Sequence, residues 1–276
     1  MLDNLLYRLP ATQTLPNRPS VQMKIAAVLK LVRNGFAILV GFVAPALAGP
    51  PFVLDDPQPT DTGHYEIYAF ATGTVTHDGS EGEAGIDFNY GAAPDLQLTA
   101  VLPAGFSAPA GQGVFAGMGS AGLGNIELAA KYKFLHQDDV GVDVAVFPRV
   151  FLPAGSAAAG ERHASFFLPV WLEKDWGDWS LFGGGGCELN RGGDSRNFCI
   201  GGAVLLRKVT ENFHLGVEMY HQSSDTRDGR SNTSVGLGAI FDISDTYHLL
   251  GYAGRGIQNA NATNQLTWYS SVLFTF

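Results

Sequence analysis

Apolar and polar positions alternate strictly over the last twelve residues of the chain, Gln265–Phe276. Leu266, Trp268, Ser270, Val272, Phe274 and Phe276 share one side of an extended segment, and Thr267, Tyr269, Ser271, Leu273 and Thr275 share the other. Successive side chains of a strand point to opposite faces, so this is a strand with one apolar face and one mostly small or polar face. The same period of two recurs upstream. Ile126, Leu128, Ala130, Tyr132 and Phe134 alternate with Glu127, Ala129, Lys131 and Lys133. Phe213, Leu215, Val217 and Met219 alternate with His214, Gly216, Glu218 and Tyr220, and Ile86, Phe88 and Tyr90 with Asp87 and Asn89.

The pattern predicts about twelve strands, near residues 64–75, 82–90, 96–103, 124–135, 141–152, 164–173, 179–189, 197–207, 213–222, 232–242, 247–255 and 265–276. Short connections (Gly91–Asp95, His136–Val140, Lys174–Asp178, Lys208–Asn212, Ile243–Thr246) alternate with longer ones (Thr76–Glu81, Ala104–Leu123, Pro153–His163, Asn190–Arg196, Ser223–Ser231, Gly256–Asn264). A soluble sandwich has no reason to keep this alternation around the whole chain. An outer-membrane barrel does, with short periplasmic turns and longer extracellular loops. The expected fold is all-β: a closed antiparallel transmembrane β-barrel over residues 64–276, with apolar faces toward acyl chains and the last strand paired to the first. Pro148 and Pro169 interrupt two strands, and since proline donates nothing to the ladder, a bulge or bent wall is expected there. Tyr90, Tyr132, Phe134, Trp171, Trp176, Trp179, Phe213 and Tyr247 lie near turns and read as an interfacial girdle.

Composition agrees with many short strands and turns: 35 of 276 residues are glycine and only 16% are charged. No run reaches the roughly 18 apolar residues of a spanning helix. Instead, Lys24, Lys30 and Arg33 precede an apolar stretch, Gly35–Ala44, and Ala46-Leu47-Ala48 follows as an A-x-A site. Residues 1–48 therefore read as an export signal, of ordinary length if translation starts at Met23. Of the 17 Lys and Arg and 26 Asp and Glu, those 48 residues hold five and one, which leaves the remainder at a net −13. That balance argues against nucleic acid as a partner. Gly49–Gly63, with four prolines, reads as an extended periplasmic lead-in or a segment tucked into the barrel mouth. Cys187 and Cys199 flank one loop, and in an oxidising periplasm they are candidates for a cross-strand disulfide or for two free thiols in the wall.

A charge on the lipid face near the midplane costs about 2–4 kcal/mol for Lys or Arg, so charged strand residues are assigned to the lumen. The candidate pore-lining set is Glu66, Asp87, Glu127, Lys131, Lys133, Asp143, Arg149, Glu173, Arg207, Glu218, Asp242 and Arg255. Both signs occur, which suits either a lumen plugged by ion pairs or a constriction that orients small polar solutes. Other chemistry is poorly supported. Gly117–Gly122 spells G-x-G-x-x-G but lacks the following helix of a dinucleotide site. The seven histidines show no tight zinc spacing, so no metal and no cofactor is expected. No serine stands in a recognisable nucleophile context, so a membrane-embedded hydrolase is the lesser alternative and no enzymatic activity is expected.

Gly49-Pro50-Pro51-Phe52 with Asp55-Asp56-Pro57, Phe88-Asn89-Tyr90-Gly91, Gly124-Asn125-Ile126-Glu127-Leu128 with Lys131-Tyr132-Lys133-Phe134, Leu168-Pro169-Val170-Trp171-Leu172 and Gly254-Arg255-Gly256 together resemble the bacterial outer-membrane family named for the meta-pathway of phenol degradation and also called a transporter family. The resemblance covers the chain after the export signal. It implies an outer-membrane channel or transporter for small solutes, aromatic or hydrophobic compounds among them, and it carries no binding residues over. A closed interaction barrel acting through its extracellular loops is the alternative. Barrels of this kind commonly end in a C-terminal Phe, here Phe276, which the barrel-assembly machinery reads. The expected partners are that machinery, outer-membrane lipids and small-molecule solutes.

Overall fold

Twelve strands form near the expected positions and close on themselves, the third running on to Pro109, into the stretch expected as the loop Ala104–Leu123. The structure, a computed structural model, describes residues 51–111, 122–154, 163–192 and 195–276. The expected export signal at residues 1–48 and nearly all of the Gly117–Gly122 motif lie outside the described residues. The wall consists of β1 (Tyr65–Val75), β2 (Gly79–Ala93), β3 (Leu96–Pro109), β4 (Gly122–Leu123 and Asn125–Leu135), β5 (Asp143–Val146 and Arg149–Pro153), β6 (Ser165–Trp176), β7 (Trp179–Leu189), β8 (Phe198–Thr210), β9 (Phe213–Gln222), β10 (Asn232–Asp242), β11 (Tyr247–Gln258) and β12 (Leu266–Thr275). Each strand pairs antiparallel with its sequence neighbours, which makes a closed 12-strand antiparallel barrel. At the seam, Glu66 of β1 faces Thr275 of β12, and Val75 faces Leu266. Beyond it, Tyr65 and Phe276 exchange backbone hydrogen bonds of 2.7 and 3.1 Å. Phe276 thus extends the seam ladder, and the described strands close without a free edge.

At one end the turns are short, with a four-residue helix α1 (Gln137–Val140) in the widest of them. At the other end the connections are longer, and α2 (Ala260–Thr263) lies in the last of them. The first of these connections departs from expectation. It is only Thr76–Asp78, because the β1–β2 ladder runs on to Val75 opposite Ser80. The stretch after Gly79 is Gly, Ser and Glu with no apolar alternation, so it reads as a turn yet folds as strand.

Pro148 splits β5, and the gap lies opposite Pro169: Val146 pairs with Val170 and Arg149 with Phe167, while the Phe147 N–H reaches the Pro169 carbonyl at 3.2 Å. On the far side of Pro169 stands Gly186, where a Cβ would meet the Pro169 backbone at 2.5 Å. The irregular wall is tolerated because the partner strand there carries no side chain.

Leu102, Leu128, Val217, Met219, Leu237 and Leu249 are exposed on the outer face. A continuous apolar belt of this kind is not kept on soluble monomers, and it suits hydrocarbon surroundings. The inside has two unlike halves. Phe147, Phe167, Trp171, Phe182, Val204, Leu206, Tyr220 and Tyr252 make an apolar cluster along β5–β11. Glu66, Asp87, Asn89, Gln97, Thr99, Glu127 and Lys131 line the polar wall of β1–β4.

Candidate functional site

Residues 51–60 occupy the lumen, and 61–63 lead out of it. Of the two readings of Gly49–Gly63, the geometry matches the segment tucked into the barrel rather than the lead-in outside it: Leu54 is 1% exposed, and Asp56 and Thr60 are buried with it. The segment is anchored at the short-turn end, where Gly63 donates to the Gly91 carbonyl at 2.7 Å and Thr62 bridges Gly91. From there it runs inward to the middle of the barrel. Prolines 51, 57 and 59 hold it extended and remove donors that would otherwise need partners inside.

Each half of the lumen takes the part of the segment that matches it. Phe52 and Leu54 join the apolar cluster, with the Phe52 ring 5.8 Å from the rings of Phe182 and Tyr252. The hollow for Phe52 is made by glycine. Gly216 of β9 and Gly238 of β10 face each other in register, and a Cβ at either would stand 2.4 or 2.5 Å from the Phe52 ring. The Leu54 N–H donates to Oε1 of Glu218, a side chain with no exposed surface, at 2.8 Å.

The next residues are acidic and meet the basic wall. Lys131 Nζ lies 3.0 Å from Asp55 and 3.4 Å from Asp56, and it also donates to the Gln58 carbonyl at 3.2 Å. Arg149 Nη2 donates to the second Asp55 oxygen at 2.8 Å, while its Nε is 3.6 Å from Glu127. Both cations lie over the Phe147 ring, at 5.0 and 4.2 Å from its centre. Gln58 then spans three wall charges: its Nε2 donates to Asp143 at 2.9 Å and Glu173 at 2.6 Å, and its Oε1 accepts from Lys133 at 2.8 Å. Thr60 N–H donates to Gln97, which continues into Asn89 and Asp87. Buried charges placed this way satisfy one another, which is the condition for tolerating them at all.

Of the candidate pore-lining residues, Glu66, Asp87, Glu127, Lys131, Lys133, Asp143, Arg149, Glu173, Glu218 and Asp242 lie on the lumen side. Asp242 stands apart from the segment, near the short turns, between His248 at 2.7 Å and His214 at 3.8 Å. Arg207 and Arg255 do not line the lumen. Both are exposed on the outer face, Arg207 over the Trp179 ring at 5.0 Å. Their strands carry apolar residues on both faces, Val204 to Leu206 and Leu249 with Leu250, so the alternation gives no parity. Both lie near strand ends, where an outward charge costs only about 0–1 kcal/mol. Trp171 moves the other way: it is 1% exposed in the inner cluster and is no part of a girdle. Cys187 and Cys199 form a disulfide between β7 and β8, directly opposite each other.

Beside the segment a cavity of about 240 Å³ remains, between Phe52–Asp55 and the inner face of β1–β4. Among the described residues no group of His, Cys, Asp and Glu is arranged to hold a metal ion.

The barrel and its inner segment place the chain in the outer-membrane β-barrel fold. It is similar to the crystal structure of an outer membrane channel from Pseudomonas putida F1, with 16% identity and a TM-score of 0.65 over 80% of this chain and 98% of that one. It is also similar to the KdgM porin, with 11% identity and a TM-score of 0.51 over 76% of this chain and 99% of that one. Neither a protein-family model nor a curated protein matches the chain.

Proposed function

We propose that the protein is a bacterial outer-membrane channel for small solutes whose bore is set by its own N-terminal segment, residues 51–63. The observation that carries this reading is the way the segment is held. Its hold on the wall is non-covalent: it is extended, its ion pairs among the described residues come from Lys131 and Arg149 alone, and a cavity of about 240 Å³ is left along the β1–β4 wall. A barrel meant to be sealed would be filled on both sides. The mixed-charge lumen suits polar or charged solutes. The resemblance to the phenol-degradation family adds small aromatic compounds as a class. On this reading the short turns face the periplasm and the long loops face outside.

The lumen is read as a passage rather than a catalytic centre, because its two innermost cations, Lys131 and Arg149, are engaged in holding the segment. Outer-membrane lipids surround the apolar belt, and Phe276, already part of the seam, is the residue offered to the assembly machinery. Planar-bilayer recording of the purified protein tests the proposal. Discrete ion conductance that rises when residues 51–60 are deleted is expected. Absence of conductance in both forms rules the channel out and leaves a closed interaction barrel.

A further inference from the structure

The cavity beside the segment has a composition of its own. Asp55, Glu66, Glu83, Asp87 and Glu127 line it, against Lys131 and Arg149, a formal charge of −3. The two cations are already spent: Lys131 on Asp55 and Asp56, Arg149 on Asp55 and Glu127. Among the described residues, no Lys or Arg pairs with Glu66, Glu83 or Asp87.

A second, independent observation points to a ligand. Tyr68 lines the same cavity, is 5% exposed, and its hydroxyl has no hydrogen-bond partner. Buried hydroxyls are normally satisfied, and leaving one unpaired costs stability. Next to it the rings of Phe70 and Tyr269 stack 6.3 Å apart with planes only 10° from parallel, and Phe52 closes the inner side. Carboxylates without counter-charge, an idle hydroxyl acceptor and aromatic faces together make the surroundings that an ammonium group prefers.

We propose that this cavity binds small protonated amines with a flat apolar body, such as arylalkylamines. The ammonium lies between Glu66 and Asp87 with a hydrogen bond to the Tyr68 hydroxyl, and the ring rests against Phe70 and Tyr269. An aromatic carboxylate of the same shape is rejected by the acidic wall. This rests on the channel reading and names the class of solute that the channel would take.

The test is calorimetric binding of 2-phenylethylammonium and of phenylacetate to the intact protein in detergent, at one ionic strength. The amine should bind at least about tenfold more tightly than the carboxylate, a difference of about 1.4 kcal/mol. Glu66→Gln with Asp87→Asn should remove about tenfold of that affinity, and Tyr68→Phe about threefold, within the range of a single hydrogen bond. Heat-resistant migration on denaturing gels establishes that each variant has folded. If a variant has not, the comparison of amine with carboxylate on the parent protein decides alone. Equal affinity for the two probes, or amine binding untouched by the double variant, overturns the proposal. Conductance in bilayers without amine binding removes the site and keeps the channel, whereas amine binding without conductance keeps the site and removes the channel.

Discussion

Lys131 holds its ammonium 3.0 Å from the carboxylate of Asp55, a residue 76 positions earlier in the chain. One belongs to the wall and the other to the segment inside it. The pair is almost fully screened from water on the lysine side, with 3% of that side chain exposed and 19% of the aspartate. A buried pair of this kind adds little net stability over an apolar pair of the same shape. Removing one partner is different, because it strands the other charge at a cost of about 3–5 kcal/mol. The segment's position therefore depends on the pairing being complete, and the wall lysine acts as its latch.

Replacing that latch should release the segment. Lys131→Met keeps the length and apolar stem of the side chain but leaves Asp56 without a basic partner and Asp55 with Arg149 alone. The barrel ladder is untouched, since Lys131 pairs with Gln97 through backbone. The expected outcome is a folded barrel with larger and noisier single-channel conductance than the parent. Unchanged conductance would mean that the remaining contacts, Arg149 on Asp55, the Gln58 hydrogen bonds and the packing of Phe52 and Leu54, hold the segment without the lysine.

Those contacts can be attacked separately. Gly238→Val places a side chain where the Phe52 ring now sits, 2.5 Å from the position of the new Cβ. The ring must leave, and Leu54 loses its neighbour. Overpacking of this kind typically costs about 1–3 kcal/mol, comparable to the burial of one large apolar side chain. In a Leu54→Cys background, the thiol should react slowly with a hydrophilic maleimide, because residue 54 is 1% exposed, and much faster once Gly238→Val is added. Equal labelling rates would show that the hollow can deform without expelling its occupant.

Much of the wall is legible in the sequence, and the limits have physical causes. Strands such as Asn125–Leu135 and Phe213–Gln222 separate an aliphatic face from a polar one, so both their existence and their orientation follow from alternation. Phe198–Thr210 buries Val204 and Leu206 inside while exposing Leu205 outside, so its parity, and with it the side taken by Arg207, is invisible to any rule about grease and water. The inner segment was half legible. The four prolines of Gly49–Gly63 make it extended, but nothing in the stretch says which wall Phe52 and Leu54 meet. Its destination depends on Gly216 and Gly238 coming into register across two strands, which is a property of pairing and not of either stretch alone. The Tyr68 cavity has no local signature at all: it is what remains when the segment leans to the β5–β11 side.

The outward arginines give a control for the lumen assignment. Arg207 stacks over Trp179 near the short turns, an exposed cation–π contact worth about 0.5–1 kcal/mol. Arg207→Gln and Arg255→Gln should leave conductance and ion selectivity as in the parent. Arg149→Gln, which uncovers Asp55 and Glu127 inside, should shift selectivity further toward cations. Reversal potentials in a salt gradient measure this directly. A selectivity change with Arg207→Gln would put that side chain back in the ion path.

The disulfide should matter for the wall and not for passage. β7 runs through Gly183–Gly186, four residues that offer β8 no cross-strand side-chain pairs, so the register between these strands has little to specify it locally. Cys187 and Cys199 sit directly opposite at the end of that stretch, 12 residues apart in sequence, and their side chains lie on the exposed outer face. A loop of this size contributes about 3 kcal/mol on the chain-entropy model. Converting both cysteines to serine should lower the unfolding midpoint in urea by a corresponding amount and slow refolding into vesicles, because slipped pairings of the glycine stretch are no longer excluded. Conductance of the folded fraction should match the parent, since neither side chain reaches the lumen. Loss of conductance with stability retained would place this pair of strands, rather than the docked segment, in control of the bore.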